Sequence, residues 1–337
     1  MKHTHAILLI LLFLAGACQH KTPEQKPLSI IYETDMGNDI DDALAADILY
    51  KYHDAGKINL LGIMLNKEGV HQPEYIDILN TWYHHTEIPI GIIRLNNVTP
   101  DPDDYAAKVC KLTDDQGEPL YKRTIQDYTT LPDAHVLYRK LLAQQPNHSV
   151  TIVSVGFSTN LARLLDTTAD EYSPLSGKEL VAQKVSRLIT MAGGIPDSSF
   201  YEYNIKEDIP SAQKVFHEWP TPLVTSPFEV GEAIRYPAES IENDFKWAEH
   251  HPVVDGYVNY MPMPYSRQTW DLTAAIYALG GDSLFTTSPA GNITVTDKGA
   301  TLFTKNPQGN RYYMSVDSLQ AANVLREFLR IIPSPYK

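Results

Sequence analysis

Five carboxylates lie within the ten residues from Glu33 to Asp42, directly after a short apolar segment. So many like charges in one turn repel one another unless a cation or a strong set of hydrogen-bond donors neutralises them. Helix capping and the helix dipole alone would explain Asp41 and Asp42. They do not explain Glu33, Asp35 and Asp39 as well. Hard oxygen ligands at this density suit Ca²⁺ or Mg²⁺, of which Ca²⁺ tolerates irregular geometry better, so the sequence predicts a divalent-metal site.

The flanking residues place this acidic turn at one edge of a sheet. Residues 28–32 are short, apolar and β-branched in part, which predicts an interior strand. Residues 42–50 predict a helix, with Asp41 or Asp42 as its N-cap. The carboxylates then converge at the carboxyl end of a strand, where open α/β sheets bind their ligands.

The rest of the chain alternates between strand and helix patterns. Strand patterns cover 58–65, 88–93, 150–155, 185–191 and 222–225, and helix patterns cover 73–83, 134–144, 211–219 and 317–331. Residues 288–315 have the composition of strands and turns. The alternation predicts an α/β fold with an open, mostly parallel sheet flanked by helices. Since no linker rich in Pro, Gly or Ser divides the chain, a single domain is expected.

Length, composition and charge limit the function. The 337 residues are enough for a substantial core. Hydrophobic residues make up 43% and charged residues 20%, which is ordinary for a globular protein. The formal net charge of −13 argues against a nucleic-acid-binding surface, which would be basic. A small neutral or anionic substrate is compatible with it.

The first residues predict a targeting segment outside the fold. Lys2 precedes an apolar run over 6–17 that is too short to span a bilayer comfortably. The run ends at Cys18 and resembles a bacterial lipoprotein signal, although its Leu stands four residues before the Cys rather than three. Residues 1–17 would be the signal peptide, 18–27 a polar tether and 28–337 the folded domain, anchored by lipid on Cys18 in the bacterial cell envelope, on the periplasmic side or at the outer-membrane surface. An uncleaved anchor is the alternative.

Four segments, in order along the chain, resemble motifs of the inosine/uridine-preferring nucleoside hydrolases. The acidic turn resembles their amino-terminal Asp-x-Asp, Gly, Asp-Asp-Ala signature, with Glu33 in place of the first Asp and two extra residues before Asp41. Residues 153–162 are similar to their Gly-Pro-Leu-Thr-Asn-Leu-Ala turn. Residues 191–208 are similar to their Met-Gly-Gly followed by Glu-Phe-Asn and Asp, and residues 270–275 stand where the family has a His-Asp pair that opens a helix. The resemblance runs from about Leu28 to the C-terminal helix.

The resemblance implies a nucleoside hydrolase fold, which is Rossmann-like, with a Ca²⁺ ion in the active site. The ligands implied for this ion are Asp35, Asp42, the backbone carbonyl of Val155 and Asp271. Asp35 would also be the base for the metal-bound water. Asp41 would face the ribose hydroxyls, and the extra Asp39 would either replace Asp41 or add a metal ligand.

The resemblance also implies contacts to the sugar. Asn66 follows the second strand, where the family has an Asn, and Glu202 and Asn204 belong to the third motif. Carboxylate and amide groups bond hydroxyl groups well, which suits a polyhydroxylated ring. For Asn66, a turn residue after a strand is an equal alternative.

Trp270 is the main departure from the family pattern. A His at this place can protonate the leaving base, and such general-acid help contributes about 10²–10⁴-fold. An indole N–H is not usefully acidic, so Trp270 would instead stack on the base or line the pocket. Other candidate donors to the base are Arg267, Tyr265, Tyr105 and Tyr201.

Together the motifs predict an N-ribosyl hydrolase, a nucleosidase that uses Ca²⁺ and releases free base and ribose from a nucleoside. A noncatalytic lipoprotein that captures nucleosides or ribose is one alternative, because Trp270 cannot act as an acid. A hydrolase of another N- or O-glycoside is the other. A nucleoside is the expected partner, and a homo-oligomer is compatible with the sequence.

Overall fold

The computed structural model describes residues 26–95, 104–195 and 199–336. The predicted signal peptide and the lipid site at Cys18 lie outside the described residues. The strands are β1 (Leu28–Thr34), β2 (Ile58–Leu65), β3 (Ile90–Gly91), β4 (Val150–Ser154), β5 (Val185–Met191), β6 (Leu223–Ser226), β7 (Arg235–Tyr236), β8 (Arg267–Gln268), β9 (Thr286–Thr287), β10 (Gly291–Val295), β11 (Thr301–Lys305) and β12 (Arg311–Ser315).

The helices lie between these strands and after them. They are α1 (Asp41–Asp54), α2 (His71–Trp82), α3 (Tyr105–Cys110), α4 (Ala134–Ala143), α5 (Thr159–Asp166), α6 (Gly177–Lys184), α7 (Tyr203–Glu207), α8 (Ile209–Glu218), α9 (Phe228–Glu232), α10 (Ala238–Asn243), α11 (Pro252–Tyr260), α12 (Trp270–Ala278) and α13 (Ser318–Ile331). Two 3₁₀ turns occupy Tyr128–Thr130 and Gly281–Leu284. Over the described ranges, no helix combines the length and the apolar character needed to cross a bilayer.

Ten strands form one sheet in the order β11, β10, β12, β6, β5, β4, β1, β2 and β3, with β9 beside β12. The strands from β12 to β3 run parallel to their neighbours. Strands β9, β10 and β11 add antiparallel pairings at the other end. The predicted α/β class, with an open and mostly parallel sheet, is confirmed. Strands β7 and β8 pair separately as a short antiparallel ribbon.

Both faces of the central strands are covered. Ile30 and Tyr32 pack into one hydrophobic cluster and Ile31 into another, because successive strand residues point to opposite faces. Helices α1 and α12 cover the first face, and α4, α5 and α8 cover the second. Parallel strands buried on both faces read as continuous apolar runs, which is why the sequence reveals β1, β4 and β5 clearly.

The prediction that Asp41 or Asp42 caps α1 is wrong. Ile40 occupies the N-cap position and makes no side-chain cap bond. The Thr34 hydroxyl donates to the Asp42 carboxylate, and the Asp271 backbone N–H donates to the Asp41 carboxylate over 3.0 Å. Both carboxylates are therefore bound to neighbouring elements rather than to the first turn of their own helix.

Other differences from the sequence patterns have local causes. The strand predicted over 88–93 is reduced to Ile90–Gly91, since Pro89 has no N–H for the ladder. Helices α5, α6, α7, α9, α10 and α11 were not predicted. Each has nine residues or fewer, so each offers little more than two turns of periodic pattern.

Candidate active site

A cavity of about 410 Å³ lies at the carboxyl edge of the central strands. Asp35 directly follows β1 and Val155 directly follows β4, and both line it. Trp270 and Asp271, the first residues of α12, line another side. Of the ten site residues predicted from the sequence, all except Asn66 line this cavity.

Three of the carboxylates that line the cavity meet one another. One oxygen from each of Asp41, Asp42 and Asp271 lies within 4.8 Å of the other two. Asp41 and Asp42 begin α1 and Asp271 begins α12, and these two helices pack against each other. All three side chains are buried. The helix pairing thus brings together residues that lie more than 200 positions apart in the chain.

Burial raises the pKa of Asp41, Asp42 and Asp271 well above the usual range for a carboxyl group. Repulsion from neighbouring carboxylates raises the pKa of each further. The pKa of Asp35 is raised to about 6, again mainly by burial. A bound divalent cation would stabilise all of these charges, and an all-oxygen donor set is what Ca²⁺ and Mg²⁺ prefer. The residues present therefore fit a divalent metal.

A tight turn after β1 sets the position of Asp35. The Asn38 backbone N–H bonds the Asp35 carbonyl over 3.3 Å, and the Asn38 side-chain amide donates to the Asp35 carboxylate. Gly37 has a φ of 102°, and a Cβ there would lie 2.5 Å from an oxygen of Asp104. The positive φ is the main reason for glycine here, because a displaced Asp104 side chain could make room for a Cβ, and this turn conformation sets the approach of Asp35 to the cavity.

Asp39 does not join the carboxylate cluster. Its Oδ1 accepts from Arg267 Nε over 2.8 Å, and its Oδ2 accepts from Arg267 Nη2. Both of its oxygens are engaged in this salt bridge, so the geometry does not favour the prediction that Asp39 adds a metal ligand. Asp41 occupies the cluster instead, although it was predicted only as a ribose contact.

Asn66 lies beneath the cavity and not in its wall. Its side chain is fully buried, and its amide donates to Glu33 over 3.1 Å and to the Phe157 carbonyl over 3.0 Å. Gly156 covers it so closely that a Cβ at that position would lie 2.5 Å from Asn66 Oδ1. Asn66 does not line the cavity, and its amide N–H groups support the turn, while its Oδ1 has no hydrogen-bond partner. The sugar contact of Asn66 stays a prediction.

Glu33 completes this buried layer. Its second oxygen accepts from the Tyr138 hydroxyl over 2.5 Å, and burial raises the pKa of its carboxyl to about 7. Glu33 precedes Thr34 in β1, so the two side chains point to opposite faces of the sheet. Thr34 bonds Asp42 in the cluster, while Glu33 supports the turn at Asn66 from below.

Glu202 and Asn204 reach the cavity from the start of α7. Glu202 caps this helix by accepting from the N–H groups of Asn204 and Ile205, and it also accepts from Gly193 over 3.0 Å. Burial raises the pKa of its carboxyl to about 7. The Asn204 amide donates to the carbonyl of Val155 over 3.0 Å, which fixes that carbonyl at the cavity wall.

The cavity also has an aromatic wall, of which the sequence predicted Trp270 but not Phe200 and Phe228. Phe228 lies 5.3 Å from Trp270 and 4.5 Å from Phe200 between ring centroids, and all three line the cavity. The Trp270 indole N–H donates to the Phe228 carbonyl over 3.0 Å, so it is not available to a leaving group. The position of Phe228 just after a strand, at the carboxyl edge, is the signal that would have indicated it.

The structure separates the four candidate donors to the base. The Tyr105 hydroxyl donates to Met36 Sδ, and the Tyr265 hydroxyl donates to the Tyr257 carbonyl over 2.5 Å. Neither residue lines the cavity, whereas Arg267 and Tyr201 do.

Comparison with known proteins gives the same class. Residues 30–324 match the family described as inosine-uridine preferring nucleoside hydrolase. The fold is similar to that of a plant nucleoside hydrolase, with 18% identity, a TM-score of 0.65 and coverage of 90% of this chain and 99% of that one. The fold is also similar to that of a purine-preferring ribonucleoside hydrolase from Gardnerella vaginalis, with 16% identity, a TM-score of 0.68 and coverage of 90% of this chain and 98% of that one. An inosine-uridine preferring nucleoside hydrolase from Bacillus anthracis has 17% identity to the chain and a TM-score of 0.62, with coverage of 90% of this chain and 99% of that one. No curated protein sequence matches the chain.

The parallel sheet and the acidic cavity at its carboxyl edge define a nucleoside hydrolase fold. Because the family match spans most of the sequence, the chain belongs to the inosine-uridine preferring nucleoside hydrolase family. It is therefore an N-ribosyl hydrolase, an enzyme of the glycosidase class, with an acidic site that fits a metal ion.

Replacing Asp271 by Asn tests the metal site through stability. In chelator, Asp271→Asn should raise the melting temperature, because one buried like charge is removed. A divalent cation should stabilise the wild type by about 3 kcal/mol at one hundred times its dissociation constant. The same cation should stabilise the Asp271→Asn variant by much less. Thermal unfolding with EDTA and with added CaCl₂ measures both effects.

The exposed Asp282 supplies the matched control, since Asp282→Asn should follow the wild type in both buffers. A wild-type melting temperature that is the same in EDTA and in CaCl₂ would contradict the metal site.

A change at Gly156 tests the packing beneath the site. The Cβ of Gly156→Ala would lie 2.8 Å from the Asp35 backbone nitrogen, so either Asp35 or Asn66 must move. We expect a stability loss of about 1–3 kcal/mol and a fall in turnover. Gly117→Ala strains a backbone with a φ of 85° but meets no atom within 4 Å. It should lower stability and leave turnover intact, and equal turnover losses in the two variants would contradict a specific effect at Asp35.

Proposed function

We propose that this protein hydrolyses the N-glycosidic bond of ribonucleosides with Ca²⁺ as its cofactor and releases free base and ribose. The observation that carries the proposal is the cluster of buried carboxylates in a cavity that also has an aromatic wall. The carboxylate end suits a metal and a sugar diol, and the aromatic side suits a flat base. About 410 Å³ is within the range of small-molecule sites.

The donor set favours Ca²⁺ over Mg²⁺. The residues that would hold the ion are Asp35, Asp42, Asp271 and the carbonyl of Val155, with Asp41 beside them. Such a mixture of carboxylate and carbonyl oxygens from three chain segments is irregular, and Mg²⁺ demands near-ideal octahedral geometry. A bound divalent ion supplies two kinds of chemistry, in that it acidifies a water and orients substrate oxygens.

The protein's own groups have distinct tasks in this proposal. Asp35 accepts the proton of the attacking water, because it lines the cavity and follows the rigid end of β1. Asp41 faces the ribose diol from within the cluster. Glu202 and Asn204 bind the remaining sugar hydroxyls from the opposite wall, where backbone N–H groups hold Glu202 in place. The developing oxocarbenium charge then forms between carboxylates on two sides.

Asp35→Asn tests the base directly. The amide cannot accept the proton, so kcat on a responsive nucleoside should fall by about 10²–10⁴-fold, the usual range for a lost general base. Release of ribose from a panel of purine and pyrimidine nucleosides in CaCl₂ is the measurement. Asp282→Asn should keep wild-type activity, and an active Asp35→Asn variant would place the base elsewhere.

The same panel separates the other candidate functions. Tight nucleoside binding without release of base would indicate a capture protein. This alternative is favoured by Trp270, because an indole cannot act as the acid for the leaving base. Turnover confined to other N- or O-glycosides would indicate a hydrolase of different specificity.

We also propose that Cys18 carries lipid and anchors the enzyme in a bacterial envelope membrane, on the strength of the apolar run that ends at this residue. A homo-oligomer on that membrane is compatible with this arrangement. In a bacterial host fed labelled palmitate, the wild type should incorporate label and Cys18→Ala should not. Cys110→Ala provides the control because Cys110 is buried and should not matter for labelling. Label retained in Cys18→Ala would contradict the anchor.

A further inference from the structure

Two sequence departures from the family pattern meet in one place. By the resemblance described above, the acidic turn that contains Asp39 is longer by two residues, and Trp270 stands at the place of a His. In the structure, Arg267 connects them. Its guanidinium pairs with Asp39 and lies 5.1 Å from the centre of the Trp270 ring. Asp39 and Trp270 therefore belong to one arrangement around Arg267.

Arg267 is held from several directions. The Tyr260 ring lies 5.2 Å from the guanidinium carbon, and the Arg267 backbone N–H donates to the Tyr257 hydroxyl over 3.1 Å. Stacking on aromatic rings and a two-point bond to a carboxylate fix the plane of a guanidinium. Strand β8, which begins at Arg267, pairs with β7 and restrains the backbone as well. The group is thus preorganised at the cavity wall.

The guanidinium still has donors for a ligand. Of its five N–H groups, two bond Asp39 and one bonds Gln268 over 3.4 Å. Arg267 lines the cavity beside Trp270 and Phe228, which form the aromatic wall. A base stacked on that wall would lie within reach of the remaining N–H groups.

We propose that Arg267 is the leaving-group residue of this enzyme, with Asp39 as its positioning residue. The inference rests on the proposed function. Water adds to the anomeric carbon and gives a proton to Asp35. The C–N bond breaks, and its electron pair stays on the base nitrogen. The N–H groups of Arg267 stabilise the departing base as an anion, which solvent then protonates.

This differs from catalysis by a His in a measurable way. A guanidinium does not give up its proton in a protein, and the pairing with Asp39 raises the pKa of Arg267 further. Arg267 can therefore supply charge and hydrogen bonds but not a proton. Turnover should depend on how well the base carries negative charge, so nucleosides with acidic bases should be the better substrates.

The experiment compares two leaving groups in Arg267→Met. On a nucleoside, kcat should fall by about 10²–10³-fold, as for loss of one preorganised donor to a developing anion. On para-nitrophenyl β-ribofuranoside, whose nitrophenolate leaves without help, kcat should change by less than about threefold. Asp39→Asn should show the same selectivity to a smaller degree. Arg267→Lys keeps the charge but loses the two-point geometry, so it should recover part of the nucleoside activity.

Arg235→Met is the matched control. Arg235 lies on the partner strand β7, is exposed and pairs with Glu232, so both substrates should be turned over normally. Melting temperatures are measured for all variants, and if Arg267→Met does not fold, Arg267→Lys and Asp39→Asn provide the same comparison.

Failure of the leaving-group role and failure of the proposed function give different results. Equal losses on both substrates would overturn the leaving-group role, because that pattern reflects general damage to the site. A wild type that cleaves neither any nucleoside nor the nitrophenyl riboside would overturn the proposed function and this inference with it.

Discussion

Mutual repulsion among buried carboxylates is the constraint on which the rest of this site depends. Asp41, Asp42 and Asp271 are all buried and close together, and burial disfavours their charged forms. The packing of α1 against α12 holds these side chains together at that cost. Such a cluster of charged carboxylates is destabilised unless a cation balances it, so the fold itself creates a demand for metal in the cavity.

Side chains on the two faces of β1 support different parts of the site. Thr34 points toward the cluster and bonds Asp42, while Glu33 points to the other face and bonds Asn66 and Tyr138. Gly156 then packs directly on Asn66. Asp35, at the end of the same strand, is consequently supported from below by a fully buried polar layer. The position of this carboxylate follows from packing in the core and not from the loop alone.

The aromatic wall of the cavity follows a different principle. Trp270 and Phe228 present aromatic surface, and Arg267 brings one fixed positive charge that Asp39 partly balances. The cavity is therefore polar and negative where a sugar would lie and aromatic with a cation where a base would lie. In the proposed function, such an asymmetry would orient a nucleoside before any bond is broken, which is where much of the advantage of a bound substrate arises.

The sequence by itself determined the α/β class, the central strands and the acidic turn that carries Asp35 and Asp42, because buried parallel strands and an acidic turn after one of them leave strong local patterns. Asp271 was indicated only by the resemblance to the family. Only the tertiary structure decided which groups Asp39 and Asn66 contact. Whether a carboxylate meets a metal or an arginine depends on a partner more than 200 residues away, and whether an amide faces a cavity depends on what covers it. Neither fact has a local signal, since both arise only when distant elements pack together.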